Sequence, residues 1–261
     1  MRIPQIKATP ATRRPLFWIF FCFFVLVLVF GLSPIASARQ NAKTPEQIEW
    51  TWEVRPAHPD PSLPNVLLLG DSISRDYFPI VSDKLSNIAN VYLMASSVSV
   101  GDERLELQIR EFASMEGVRF SVVHFNNGMH GWGYDEEHYK AAFPGFIRVV
   151  RKLATRHGVL IWASTTPVKS DDGNGPTNRR IDARNAIAAS MLQSASILSD
   201  DQHALMMQHQ DRHSDSVHFD THGAELEGDQ AAALIKTALS FMPGDAKTGD
   251  GSGGAEQGTH R

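Results

Sequence analysis

The sequence predicts an α/β protein, a three-layer α/β/α sandwich around a central parallel sheet. Three observations carry that expectation. Short apolar runs alternate along the chain with longer stretches of helical period, the pattern of a sheet covered by crossover helices. The runs are continuously apolar rather than alternating with polar residues, as in strands buried on both faces. The only cysteine, Cys22, precedes the whole pattern. The roughly 180 residues from Pro64 to Pro243 must therefore hold together by packing alone, and that length suffices for one substantial core.

The first strand is Asn65 to Leu69, apolar through Val66, Leu67, Leu68 and Leu69. Gly70 ends it with a residue that allows a sharp turn, and a helix is expected from Ser72 onward. "VYLMAS" (Val91–Ser96), "RFSVVHF" (Arg119–Phe125) and "GVLIWAS" (Gly158–Ser164) are the next strands. "DERLELQIREFASM" (Asp102–Met115) is a helix. So is "GFIRVVRKLATRHG", where Phe146, Val149, Val150 and Leu153 form one face and Gly158 is the expected stop. Arg179–Leu198 is a third helix of this kind, and Ala224–Phe241 closes the chain with Leu234, Ile235, Ala238 and Leu239 facing inward.

The flanks read differently. Arg2, Lys7, Arg13 and Arg14 precede an unbroken apolar core, Leu16–Leu32, and Ala36-x-Ala38 follows as a small-residue cleavage site. Residues 1–38 are therefore expected to be a secretory signal peptide or, uncleaved, a membrane anchor through residues 16–33. The expected location is secreted or periplasmic. Residues 39–63 are polar and proline-rich, a spacer whose Trp50 and Trp52 could dock on the domain. Residues 64–243 form the domain, and 244–261 lack apolar residues and are expected to be disordered. Of 25 basic and 29 acidic residues, the leader holds four basic ones, leaving 21 against 29 and a net charge of −8. With no basic stripe to neutralise phosphates, nucleic acid is not an expected partner.

In a parallel sheet, reacting groups gather beyond the carboxyl ends of the strands, where "GDSIS" places Ser72. Asp71 or Ser72 could simply cap the helix; alternatively, Ser72 is a nucleophile. A serine nucleophile needs a base within hydrogen-bond reach and a third group to orient that base. "DSVHFDTHGAE" (Asp215–Glu225) supplies both, with Asp215 three residues before His218 in a loop preceding the last helix. His218, Asp220 and His222 have a spacing that would suit metal ligands on a strand, but no further ligand cluster accompanies them. Neither a metal nor a cofactor is expected.

"GDSIS" and "DSVHF" resemble the first and last sequence blocks of the SGNH (GDSL-type) hydrolases. "VVHFNNGMHGW" (Val122–Trp132) resembles the third block, and "LIWASTTPV" (Leu160–Val168) a strand and loop of one subgroup. The resemblance extends from Asn65 to about Phe241. It implies the flavodoxin-like SGNH hydrolase fold, with Ser72 as nucleophile, His218 as general base and Asp215 as its orienting acid. It further implies an oxyanion hole made by the Ser72 N–H, a glycine N–H from the second block and an asparagine side chain from the third. The third block departs from Gly-x-Asn-Asp, so Asn126 and Asn127 are both candidates. The second block has no glycine before Gly101, leaving Gly101 or Ser97 as donor. His130 and Trp132, with Tyr134, could wall the substrate.

The implied function is a secreted serine esterase that removes an acyl group, short-chain or O-acetyl, from a small molecule or polysaccharide. The alternatives are a non-catalytic module of the same fold that binds extracellular glycan, or a lipase or thioesterase.

Overall fold

The computed structural model describes residues 46–172 and 175–242. The expected leader 1–38, with Cys22, the first seven residues of the spacer and the tail 244–261 lie outside them. Six strands form one sheet: β1 (Thr51–Val54), β2 (Asn65–Gly70), β3 (Asn90–Ser96), β4 (Phe120–Phe125), β5 (Ala154–Ala163) and β6 (Leu198–Asp200). Their order is β1-β3-β2-β4-β5-β6. All neighbours are parallel except β1, which runs antiparallel to β3 with Thr51 opposite Ser96.

Five α-helices of the described residues connect or follow the parallel strands: α1 (Ser72–Lys84), α2 (Glu103–Glu116), α3 (Glu136–Leu153), α4 (Asn178–Leu192) and, after β6, the short α5 (Gln202–Met207). A 3-10 turn (Gln210–Arg212) and the long α6 (Thr221–Ser240) complete the order. Alternate residues of each strand feed two cores. Leu67, Leu69, Val123, Phe125 and Leu160 pack with Ile109 and Phe112 of α2, Phe143 and Val150 of α3 and Ala188 of α4. Val66, Leu68, Val122 and Ile161 pack on the opposite face with Tyr77 and Val81 of α1 and Ala231 and Ile235 of α6. Both faces of the sheet are therefore buried, which is why its strands are continuously apolar. This is the expected three-layer sandwich.

Chain order and sheet order together create a crevice. After β2 the chain crosses to β3 on one side, and after β4 it crosses to β5 on the other, so the connections diverge between β2 and β4. Such a switch point, at the carboxyl ends of the strands, is where α/β sheets hold their ligands. Ser72 follows β2 there, and Asn126 and Asn127 follow β4.

Four expectations are corrected. The helix placed at Gly145–Gly158 begins at Glu136, capped by the Asp135 side chain, and ends at Leu153. Ala154 already pairs with Phe120, and the register jumps to Val122 opposite Val159. Gly158 is thus not a helix stop but a strand residue pressed on β4, where a Cβ would lie 2.8 Å from the Phe120 carbonyl oxygen. The helix placed at Arg179–Leu198 ends at Leu192, and Leu198 opens β6. The last helix starts at Thr221, three residues before Ala224. Finally, the sheet begins inside the stretch read as a spacer: β1 holds Trp52, and Arg75 of α1 lies over the Trp50 and Trp52 rings, 5.4 and 5.7 Å from their centroids.

The helices α1 and α6 lie side by side, and their closeness depends on Gly228. A Cβ there would fall 2.7 Å from Ile80 Cβ and 3.2 Å from the Tyr77 carbonyl oxygen. Gly228→Val is expected to force the two helices apart and to destabilise the fold by about 1–3 kcal/mol. Denaturant unfolding of the variant beside the parent chain measures it.

Candidate active site

The turn that delivers Ser72 is tight. A Cβ on Gly70 would lie 2.1 Å from Ser74 Oγ, so only glycine fits between the strand and the first turn of α1. Asp71 is the N-cap, its Oδ1 accepting the Ile73 N–H at 3.1 Å. Both readings of "GDSIS" are thus realised at neighbouring residues: Asp71 caps, and Ser72 is left as the first helical residue. Its backbone N–H has no intrahelical acceptor there, and the helix dipole favours negative charge beside it.

His218 arrives from the other end of the chain. Asp215 Oδ1 accepts the backbone N–H groups of Val217 and His218, each at 2.7 Å, which closes a tight turn. Its other oxygen, Oδ2, lies 2.9 Å from His218 Nδ1. The turn is moored to the domain by Lys169 N–H donating to the Ser216 carbonyl at 3.0 Å. His213, whose ring lies 4.1 Å from that of Phe219, has Nε2 3.2 Å from the Pro167 carbonyl. His218 Nε2 then stands 2.7 Å from Ser72 Oγ. With Nδ1–H donated to Asp215, Nε2 presents its lone pair to the serine hydroxyl. Partial burial pulls Asp215 upward, but the two backbone N–H donors and the His218 ring outweigh it and hold the carboxyl at about 2. Asp215 is therefore an anion throughout the range in which an imidazole titrates.

The two asparagines are turned to different tasks. Asn126 donates from Nδ2 to the Ala163 carbonyl at 2.6 Å and to Thr165 Oγ1 at 3.0 Å, and accepts the Gly128 N–H at 3.1 Å. Both of its amide hydrogens are committed, so it braces the ends of β4 and β5 rather than offering a donor to substrate. Asn127 reaches the loop after β3, accepting the Val100 N–H at 2.8 Å and donating one hydrogen to the Val98 carbonyl at 2.9 Å. Its second amide hydrogen has no acceptor among the hydrogen bonds of the described residues.

The second-block candidates fare differently from expectation. Gly101, at φ +95°, packs against helix α3, where a Cβ would meet His138 Nε2 at 2.3 Å. It belongs to that helix contact. Ser97 donates its N–H to the Trp50 carbonyl at 3.1 Å, extending the β1 pairing.

His130 and Trp132 are held by partners the sequence did not suggest. His130 Nδ1 lies 3.0 Å from each carboxylate oxygen of Glu46. Burial lowers the His130 pKa, but Glu46 and the charge of Asp71 prevail and hold it above the ordinary value. Trp132 lies under two guanidinium groups, 5.0 Å from that of Arg180 and 4.0 Å from that of Arg184. Arg184 is 2 % exposed and donates to the carbonyls of Gly128, His130 and Gly131 at 3.0, 2.7 and 3.0 Å. Arg180 donates to those of Trp132 and Tyr134 at 3.0 and 2.6 Å. The two arginines, one turn apart on α4, thereby fix the whole loop after Asn127. Burial brings Arg184 down to about 10, still a cation at neutral pH.

The possible metal trio is dispersed. Asp220 caps α6 by accepting the Gly223 N–H at 2.8 Å, and His222 Nδ1 turns to Glu225 at 3.3 Å. Only His218 faces the crevice. Among the described residues no cluster of three histidine, cysteine or acidic side chains is arranged to hold a metal ion.

No protein-family model and no curated protein matches the chain. Solved structures do. A member of the lipolytic G-D-S-L family from Veillonella parvula superposes with a TM-score of 0.52 at 17% identity, over 66% of this chain and 98% of that one. An acetyl-xylooligosaccharide esterase from Geobacillus stearothermophilus gives 0.52 at 14% identity, over 69% and 95%. The C-terminal catalytic domain of peptidoglycan O-acetyltransferase A from Streptococcus pneumoniae gives 0.51 at 19% identity, over 68% and 96%. These likenesses span about two thirds of this chain and nearly the full length of the compared ones, and they establish that this chain has the SGNH (GDSL-type) hydrolase fold.

Proposed function

We propose that the protein is a serine ester hydrolase that removes acetyl or another short acyl group from a polar substrate. One observation carries the reading: Asp215, His218 and Ser72 form a continuous hydrogen-bonded relay of 2.9 and 2.7 Å at the switch point of the sheet. In that arrangement His218 Nε2 takes the Ser72 proton as Oγ attacks the ester carbonyl, and Asp215 stabilises the imidazolium. The oxyanion is met by the Ser72 N–H at the start of α1 and by the second amide hydrogen of Asn127; each such donor is worth about 3–4 kcal/mol. His218 then protonates the leaving alcohol, and water activated by the same ring releases the acid.

The structural neighbours that act on acetylated oligosaccharide and on peptidoglycan support the acetyl reading, as does the acidic composition of the domain. The leader-like sequence of residues 1–38 supports a substrate outside the cytoplasm. Among the described residues no helix is long and apolar enough to cross a membrane.

Ser72→Ala is expected to lower hydrolysis of an aryl acetate by at least about 10⁴-fold while the chain stays folded. A folded parent protein that neither hydrolyses esters nor reacts with a fluorophosphonate, yet retains glycan, would point to the binding module instead. Along a series of aryl esters, acetate is expected to give the highest kcat/KM, and a maximum at long chains would move the substrate class to lipids or thioesters.

Asp215→Asn is expected to reduce kcat on the order of 10²- to 10⁴-fold, because the imidazole loses the partner that sets its tautomer. The pH dependence follows with a definite sign. The carboxyl is held at about 2 in the folded chain against an ordinary 3.8, so its stabilisation is complete above the ordinary value and lost as pH falls through the folded one. Asp215→Asn should therefore lower Tm at neutral pH and leave it nearly unchanged close to pH 2, which thermal melts across that range measure.

A further inference from the structure

Behind the nucleophile, on the inner side of Asp71, lies a cavity of about 10 Å³, lined by Asp71, Thr166, Gln202 and Glu227 among others. That is about the room one water centre requires. Each of the four side chains contributes a buried oxygen without a protein partner: Asp71 Oδ2, Thr166 Oγ1, Gln202 Oε1 and Glu227 Oε1. All four residues are 3 % exposed or less. Four orphaned oxygens around one cavity are too many to be incidental, because buried polar groups are almost always paired.

Counting hydrogens shows what would satisfy them. The Gln202 amide spends its Nε2 on Asp200 Oδ2 at 2.9 Å and on the Glu227 carbonyl at 3.1 Å, so its Oε1 can only accept. Asp71 Oδ2 can only accept as well. Were Glu227 ionised, three acceptors would share the single hydrogen of Thr166. One water brings two more hydrogens and matches that count, but it leaves a buried anion among Asp71, Asp76 and Asp200; a proton on Glu227 removes that charge and adds a further donor. We propose that Glu227 is a protonated carboxylic acid that, with one water in this cavity, hydrogen-bonds Asp71 Oδ2 and so positions Ser72.

The surroundings favour the neutral acid. Burial, and then the negative charges of Asp71, Asp76 and Asp200, push the Glu227 carboxyl well above its ordinary range. From the elements packed on α6, the other titratable side chains are already engaged. His124 of β4 is bound to Asp200 at 2.7 Å, Tyr77 of α1 to Ser74 at 3.1 Å, and Lys84 of α1 to Asp229 at 2.8 Å, while Arg75 of α1 pairs with Asp76 at 3.6 Å and His203 of α5 with Asp182 at 3.3 Å. No cation is left to neutralise a Glu227 anion among these groups. Asp71 meanwhile holds the Ile73 N–H with its other oxygen. A clamp on Oδ2 therefore fixes the carboxylate from both sides, and with it the first turn of α1. Glu227 is in this sense a positioning residue, and its role rests on Ser72 being the nucleophile.

The test compares Glu227→Gln, which keeps a donor and an acceptor, with Glu227→Leu, which keeps neither. Glu227→Leu is expected to lose on the order of 100-fold in kcat with little change in KM, and to slow fluorophosphonate labelling of Ser72 in parallel. Glu227→Gln should recover most of both. Infrared difference spectra should show the C=O stretch of a protonated buried carboxyl at neutral pH in the parent protein and not in Glu227→Gln. Stability of the parent should fall as pH rises past the ordinary glutamate range, since the folded state binds the extra proton, and Glu227→Gln should flatten that slope. The proposal is overturned if the protonated band is absent, or if Glu227→Gln is as impaired as Glu227→Leu. The infrared and stability arms decide it even where Glu227→Leu fails to fold. A parent protein without esterase activity would refute the proposed reaction while the infrared band still reported on Glu227.

Discussion

The contact between His218 and Ser72 joins residues 146 positions apart in the chain, at 2.7 Å. No local preference can produce it. It exists because α1, which starts at Ser72, and α6, which the Asp215–His218 turn precedes, lie beside each other on one face of the sheet. That neighbourhood follows in turn from the apolar stripe they share with Val66, Leu68 and Val122, and from the absence of a side chain at Gly228. Burial of each large apolar side chain contributes about 1.5–3 kcal/mol, whereas a single hydrogen bond contributes a net of about 1 kcal/mol. The relay is thus assembled by the core and is not what holds the core together. Its geometry is as precise as the packing beneath it.

The loops that complete the site are held by a different means. The segment from Gly128 to Tyr134 presents a row of backbone carbonyls, and a buried carbonyl needs a donor. Arg184 and Arg180 supply several donors each from fixed positions on α4, and stack on Trp132 at the same time. A guanidinium suits this because its donors are spread in a rigid plane. Arg184 is pulled down to about 10 by burial, yet that leaves its charge intact at neutral pH. The rigidity of the region around His130 therefore comes from polar contacts inside a well-packed frame.

How legible each part was depends on whether its cause is local. Strands β2, β3 and β4 could be read to within a residue, because runs such as Val66–Leu69 carry the signature of two-sided burial in their own composition. The cap and turn at Gly70–Asp71–Ser72, and the Asp215–His218 spacing, were likewise written in adjacent residues. What could not be read depends on partners far away in sequence. Ala154 to Gly158 continues a helical pattern by itself and becomes strand only because β4 pairs with it. Leu198–Asp200 is too short and too exposed to announce a strand. Thr51–Val54 is exposed along three of its four residues, so no continuous apolar run marked it as part of the sheet. The same holds in the site. Glu46, Arg180, Arg184 and Glu227 are ordinary charged residues of a spacer or a helix until the fold sets them against His130, Trp132 and Asp71.

The two places where the sequence departs from the SGNH blocks it resembles meet at the loop after β3. After β3 a serine stands where a glycine donor is expected, and its N–H goes to Trp50 while its Oγ accepts the Trp50 N–H at 2.9 Å. Besides Ser96 Oγ, which accepts the Val98 N–H at 3.0 Å, the following residues, Val98 to Val100, take support from the other side. Asn127 provides it, accepting from Val100 and donating to Val98. Asn126, one residue earlier, ties the end of β4 to Ala163 and Thr165. An asparagine of the third block thus braces the loop in which the second block lacks its glycine. One amide braces the loop beside the crevice and the other anchors the pair to the neighbouring strand.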